Sequence, residues 1–296
     1  MKILITGSNG QLGQALQDEA PVKVNGAYSI VIPMDKSLLD IGSRNHVNLV
    51  LNELKPDVII NAAAYTAVDK AETEKELAAL ANVTGVENLA NWCANNQALL
   101  IHISTDFVFD GESARAYQID SLTNPVSEYG ITKRAAEEAI THSNCDSYIV
   151  RTAWVYSEAG HNFVKTILRL ANTKESFGVV TDQVGTPTYA RNLACMIWAL
   201  ADLRPGRKIW HYTDAGVASW YDFAIAITEE ALALGMLTKQ PVINPIKTAD
   251  YPTAAQRPAF SVLDKELTWK ELSIKPVHWR VALRDMLAAL SQQEKI

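Results

Sequence analysis

This sequence predicts an α/β fold in which a parallel sheet is covered by helices on both faces, and three observations carry the prediction. Short runs that are apolar at nearly every position recur through the first half, at residues 3–5, 30–32, 58–60 and 99–103. A strand with one wet face alternates; a strand buried on both faces does not. Between those runs lie helical patterns of 10–20 residues, the rhythm of β-α-β units. The first run also passes into the first helical pattern through a loop with glycine at every third position, Gly7-Ser8-Asn9-Gly10-Gln11-Leu12-Gly13.

The elements follow in order. Lys2-Ile3-Leu4-Ile5-Thr6 reads as a buried strand and residues 11–19 as the helix behind the glycine loop. Ile30-Val31-Ile32 is a second strand, expected to end or distort at Pro33, which lacks a ladder donor. Ser43 is placed to cap a helix that Lys55-Pro56-Asp57 stops near Leu54. After the strand at 58–60, residues 74–96 read as one long helix, 99–103 as a strand, 129–141 as a helix and 148–150 as a strand. The second half is less regular. Residues 163–170, 191–200, 221–234 and 281–290 are helical in pattern, with short apolar runs at 179–180 and 209–210. Pro241, Pro245, Pro252 and Pro258 mark an irregular surface segment. The expected division is a dinucleotide-type domain over 1–154 with segments returning near 177–212, and a smaller, interleaved C-terminal substrate domain over 155–176 and 213–296.

At 296 residues the chain can bury a sizeable core, and 48% hydrophobic with 20% charged residues is ordinary for a globular protein. A net charge of -6 argues against nucleic acid as a partner. Cys93, Cys145 and Cys195 are too few and too scattered for a disulfide frame, and read as reduced thiols of a cytoplasmic protein. No apolar run approaches a membrane span, and nothing before the first strand looks like a leader. The six histidines show no metal-ligand spacing, so no catalytic metal is expected.

Two motifs carry chemistry. Glycines at 7, 10 and 13 let a backbone approach a pyrophosphate at a helix N-terminus, although a tight turn without ligand uses glycine too. Asp35, at the end of the second strand, fits the acid that binds a ribose 2′-hydroxyl and so favours NAD; Lys36 and Ser37 would instead suit the 2′-phosphate of NADP. Tyr129 and Lys133 are four apart at the start of a helical pattern, on one face. A lysine there is expected to lower the tyrosine pKa toward working pH, making it a proton donor to a carbonyl oxygen beside a nicotinamide. Ser104-Thr105-Asp106 follows the strand at 99–103; hydroxyls there point into the ligand crevice of such a fold, where Thr105 is placed to donate to a substrate carbonyl oxygen, or the stretch forms a local cap. His102 reads as a hydrogen-bonded core histidine. Asp69-Lys70-Ala71-Glu72 reads as a solvated helix entry. Trp154 and Tyr156 either floor a pocket or pack in the core.

Thr105, Tyr129 and Lys133 behind Gly7, Gly10 and Gly13 resemble the extended short-chain dehydrogenase/reductase superfamily, whose fold is a Rossmann-type doubly wound sheet. Narrower stretches resemble the dTDP-4-dehydrorhamnose reductase family: Asn61-Ala62-Ala63-Ala64-Tyr65-Thr66-Ala67-Val68-Asp69-Lys70-Ala71-Glu72, Ser104-Thr105-Asp106-Phe107-Val108-Phe109, Arg151-Thr152-Ala153-Trp154-Val155-Tyr156, Asp182-Gln183-Val184-Gly185-Thr186-Pro187-Thr188 and residues 251–258. The resemblance implies a catalytic set of Thr105, Tyr129 and Lys133. It implies that Gly7, Gly10, Gln11, Leu12, Gly13, Asp35, Asp40, Ile41, Ala63, Ala64, Tyr65 and Thr66 line NADPH or NADH, together with Tyr129 and Lys133. Thr105, Asp106 and Trp154 would touch a dTDP-sugar, with Arg257 on its diphosphate. The implied reaction is reduction of dTDP-4-dehydro-L-rhamnose at C4, in nucleotide-sugar and cell-surface polysaccharide (O-antigen, lipopolysaccharide) biosynthesis. Phe107 stands where a tyrosine is common and Ile131 where a lysine is frequent. Some members of that family form a magnesium-bridged homodimer. Here Gln14-Ala15-Leu16 and Arg191-Asn192 lack its carboxylates, so a homodimer is implied without that bridge. Two alternatives stand beside this reading. One is a related epimerase or dehydratase, although dehydratases usually carry Thr-Asp-Glu. The other is a non-catalytic subunit resembling the β subunit of methionine adenosyltransferase.

Overall fold

The computed structural model describes residues 1–293. Its centre is a six-stranded sheet in which every pairing is parallel. Strand β1 (Lys2–Thr6) has β2 (Ile30–Met34) on one side. On its other side follow β3 (Val58–Asn61), β4 (Leu99–Thr105), β5 (Ser147–Thr152) and β6 (Ile209–His211). Strand order thus reverses at β1, and a crevice opens there at the carboxyl ends of β1 and β3.

Alternation along each strand sorts its side chains between two cores. Ile3, Ile5, Val58, Ile60, Leu99 and Ile101 face α1 (Gln11–Asp18) and α6 (Ala190–Leu203), which bring Leu12, Leu16, Leu193 and Ile197. Leu4, Ile59, Leu100 and Ile149 face α2 (Arg44–Leu54), α3 (Gly85–Asn96) and α4 (Glu128–Ser143), which bring Val47, Leu51, Leu89, Ala136 and Ile140. Ser43 caps α2, accepting a hydrogen bond from the His46 amide, and Ser127 does the same for α4 through Gly130. A third core joins α5 (Phe163–Thr173), α7 (Trp220–Ala233) and α8 (Trp279–Gln293) around Val164, Ile167, Phe223, Ile227, Leu283 and Leu287. The strand Ser176–Val180 pairs with Val242–Ile246 beside this third core, while α6 and β6 return to the main sheet.

Three local expectations change. Pro33 does not end β2, which runs on to Met34; β2 is the sheet edge, where a missing donor is tolerated. Strand β4 continues through Ser104 and Thr105, so both are strand residues. The helix expected over 74–96 is interrupted: Lys75–Ala79 is α-helical, Leu80–Thr84 forms a π turn, and α3 follows. The wider turn accommodates the fully buried Asn82, whose amide bonds Tyr65 N, Tyr65 O and Thr132 Oγ1 at 2.8, 3.1 and 3.0 Å. All three cysteines are free thiols. Among the described residues no helix is long and apolar enough to cross a membrane, and no group of three or more His, Cys, Asp or Glu is placed to hold a metal ion.

Candidate active site

The crevice has a volume of about 900 Å³ and runs from the glycine loop, past the ends of β3 and β4, to the start of α4. Gly7, Gly10, Gln11, Leu12 and Gly13 form one end of it. Gly7 has a φ of +63°, and a Cβ there would sit 2.8 Å from Ala62 O and Ala63 Cα. A Cβ on Gly13 would meet Gly7 O at 2.2 Å, so only glycine lets α1 pack this tightly against the turn. No side chain caps α1. Its first-turn N–H groups therefore remain for an anion such as a pyrophosphate.

Asp35 sits on the same wall. Its carboxylate accepts from Ser37 Oγ at 2.6 Å, Ser37 N at 2.8 Å, Leu38 N at 3.1 Å and Asn9 Nδ2 at 2.9 Å. These bonds, Ser37's hydroxyl first, hold its pKa below the usual carboxylate value. Asp40, Ile41, Ala63, Ala64, Tyr65 and Thr66 complete the wall. Asp40 accepts from Gly42 N, and Tyr65 donates its hydroxyl to Glu74 at 2.6 Å, a bond that, first among its causes, raises the phenol to about 12. This combination of glycine cradle, open helix terminus and acid beyond the second strand fits a dinucleotide.

The chemical end brings Thr105, Asp106, Tyr129, Lys133 and Trp154 to the same crevice. Thr105 Oγ1 lies 3.0 Å from Asp106 Oδ1, and Phe107 packs its ring edge-on to Tyr129 with centroids 5.6 Å apart. The expectation that Lys133 lowers the Tyr129 pKa does not hold. Desolvation pushes the phenol up to about 12, Asp106's charge adds to that, and Thr105's hydroxyl opposes it. Lys133 has other partners: its buried Nζ bonds Ile103 O at 2.6 Å and His102 Nε2 at 3.1 Å. Burial brings its own pKa down to about 8, against the pull of Glu137. Asp106 is buried, its Oδ2 has no partner among the described residues, and desolvation raises it to about 6, opposed by the nearby Ser261 and Thr105 hydroxyls. An unpaired buried carboxylate oxygen at a crevice wall suits a ligand hydroxyl.

Trp154 and Tyr156 part company. Tyr156 is 1% exposed and belongs to the third core. Trp154 lines the crevice with a left-handed φ of +50° and stacks flat on Trp220, centroids 3.4 Å apart, with Gly185 directly against its ring. Arg257 is not among the lining residues. It grips Asp69 with two bonds, 3.0 and 2.7 Å, while Asp69 also accepts from Ala255 N. The stretch from Asp69 to Glu72 is therefore more than a solvated helix entry: Asp69 ties down the 255–257 loop and Glu72 accepts the Glu128 amide at the start of α4.

Sequence reasoning did not single out Asn82, Asn61, Glu137 or Arg151, while Ser104 lines the crevice as expected and also joins a buried cluster with Glu137 and Arg151. Glu137 there accepts from Ser104 Oγ at 2.5 Å and pairs with buried Arg151 at 2.7 Å. The one available signal was a polar residue inside an otherwise apolar run.

Residues 1–292 match the family model described as RmlD substrate binding domain. The chain is 42% identical over 293 residues to the dTDP-4-dehydrorhamnose reductase of Aggregatibacter actinomycetemcomitans, an alignment covering 97% of this chain and 98% of that protein. The crystal structure of a dTDP-4-dehydrorhamnose reductase from Clostridium acetobutylicum superposes with a TM-score of 0.90 at 40% identity, covering 98% of this chain and all of the other. That of Bacillus anthracis, in complex with NADP, gives 0.89 at 34% identity, covering 97% and 99%.

Proposed function

The chain belongs to the dTDP-4-dehydrorhamnose reductase family, and on that premise we propose that it reduces dTDP-4-dehydro-L-rhamnose to dTDP-L-rhamnose at C4, using NADPH or NADH. The observation that carries this reading is the convergence of Thr105, Tyr129 and Lys133 on the crevice that also holds the glycine loop. A bound reduced nicotinamide supplies the hydride. Tyr129 hands its proton to the oxygen that becomes the alcohol, and its high pKa keeps that proton in place at neutral pH, the state an acid needs in the direction of reduction. Thr105 orients the ketone oxygen with its hydroxyl. Lys133, on the same crevice, holds the cofactor ribose. Asp106 takes sugar hydroxyls on its unpartnered oxygen, and Trp154 covers the sugar. Asp35 favours a free 2′-hydroxyl, hence NADH, while Lys36 and Ser37 beside it admit a 2′-phosphate. Arg257 reaches a diphosphate only by giving up Asp69.

Of the segments expected to return near 177–212, Ser176–Val180 pairs with Val242–Ile246 instead and only 190–212 lies with the main sheet. In this reading residues 1–154 with 190–212 bind the cofactor and the remaining segments bind the sugar nucleotide. The setting is cytoplasmic nucleotide-sugar synthesis for a surface polysaccharide. Phe107 follows Asp106 where a dehydratase would carry an extra acid, which supports simple reduction. The test is absorbance loss of reduced nicotinamide against a panel of nucleotide-linked 4-keto sugars. Turnover is expected with dTDP-4-dehydro-L-rhamnose. Tight cofactor binding with no turnover of any sugar turns the reading to a regulatory subunit.

A further inference from the structure

Thr6, Asn61 and His102 occupy matched register positions on β1, β3 and β4, three neighbouring strands. Each is at most 1% exposed, and the neighbouring positions on these strands are almost all apolar. Thr6 Oγ1 bonds Asn61 Oδ1 at 2.6 Å, Asn61 Nδ2 lies 3.0 Å from His102 Nδ1, and His102 Nε2 lies 3.1 Å from Lys133 Nζ. The row begins where Thr6 also accepts from Ala63 N, on the cofactor wall, and ends on the lysine beside Tyr129.

Resting on the functional reading above, we propose that His102 is a positioning residue for the reduction: its ring keeps one hydrogen bond to Lys133 whether that amine is charged or neutral. A neutral imidazole carries one proton, on either nitrogen. With the proton on Nδ1, Nε2 accepts from the lysine ammonium and Nδ1–H donates to Asn61 Oδ1, which requires the amide to turn end for end from the arrangement in which Nδ2 faces the ring and Oδ1 faces Thr6. With the proton on Nε2, the ring donates to a neutral lysine amine and Nδ1 accepts from the Asn61 NH₂. The asparagine amide offers one acceptor end and one donor end, so both ring nitrogens stay bonded in either state; with the amide turned, Thr6 Oγ1 accepts from Asn61 Nδ2 as well as from Ala63 N. A simple apolar core position would need neither nitrogen, and a purely structural histidine would not end on the lysine.

The charges facing these groups are few. Glu137 on α4 acts on Lys133 and favours its charged form, while Lys133 is the one charge acting on His102. Asp106, after β4, acts on Tyr129. Burial together with Lys133 holds the ring well below the usual histidine value, so it stays neutral. Accepting from the ammonium favours the charged lysine. Removing that acceptor should therefore shift Lys133 titration to lower pH.

Two substitutions separate the ring's two ends. His102→Gln keeps a polar atom near Nε2, within reach of Lys133; His102→Asn keeps one near Nδ1, within reach of Asn61 only. The full-length protein, labelled with ¹⁵N at the lysine amine, is titrated with and without cofactor, and Lys133 is assigned by its absence in Lys133→Met. The wild type is expected to titrate near 8. His102→Asn should move that titration roughly half a pH unit or more lower, and the alkaline limb of kcat/KM with it, while His102→Gln stays close to wild type. Equal titrations in the wild type and His102→Asn, or a shift in Gln as large as in Asn, overturn the proposal. If His102→Asn does not fold, His102→Ala takes its place and should show the same lowered titration; an unshifted His102→Ala overturns the proposal. Because the amine signal is read without substrate, a wild type inactive on every keto sugar sinks the functional reading and leaves the role of His102 toward Lys133 to be decided by the titration.

Discussion

The two walls of the crevice are built differently. The wall proposed for the nucleotide is made from contiguous stretches, residues 7–13, 35–41 and 63–66, and it offers largely backbone: a turn that only glycine fits and helix N–H groups left open. The wall proposed for the sugar is made from side chains far apart in the chain. Thr105, Asp106 and Trp154 meet there, supported by Trp220 and Gly185. Recognition by backbone is written in short strings. Recognition by side chains depends on how distant segments are brought together.

The largest expected effect lies where the walls meet. Tyr129→Phe removes the proton donor and keeps the ring, so kcat should fall roughly 10²–10⁴-fold while the cofactor Kd stays within about twofold. Undiminished turnover would take Tyr129 out of the chemistry. On the nucleotide wall alone, Gly13→Ala puts a methyl 2.2 Å from Gly7 O, where backbone has to move. NADPH affinity, read by fluorescence titration, should drop by about tenfold or more, with little change in the KM for sugar. Unaltered affinity would mean the cradle is not what holds the dinucleotide. On the sugar wall, Trp220→Ala removes the stacking partner of Trp154, a contact of about 1 kcal/mol. The sugar-nucleotide KM should rise severalfold and NADPH affinity should not move; the reverse pattern would erase the distinction between the walls.

The smallest effect is a slope. The folded pKa of Asp106, about 6, lies above its ordinary 3.8, so between those values the folded chain binds more protons than the unfolded one. Its contribution to stability is therefore fully present below about pH 4 and fades as pH rises to about 6. Chemical denaturation of wild type against Asp106→Asn at pH 4.5, 6 and 7.5 should show the asparagine variant with a flatter profile. Parallel profiles would place the titration elsewhere.

Much of the fold was legible because burial on both faces leaves uninterrupted apolar strands, and those at β1, β3 and β4 were found close to their observed bounds. The exceptions are informative. The strand does not end at Pro33 because the tolerance of a proline there depends on β2 being an edge, a fact of strand order. The π turn at Leu80–Thr84 was invisible because its cause is Asn82 reaching Tyr65 and Thr132, 17 and 50 residues away.

By itself the sequence determined the parallel α/β architecture, the glycine turn, and the presence of a threonine, tyrosine and lysine in the order a reductase needs. These follow from hydrophobic period, backbone sterics and residue chemistry, all local properties. Tertiary structure alone decided the protonation of those groups and their partners. Lys133 answers to His102 and Ile103 before Tyr129, Arg257 is held by Asp69, and Trp154 lies on Trp220. A pKa and an ion pair depend on burial and on neighbours a few ångströms away, and folding chooses those neighbours from anywhere in the chain.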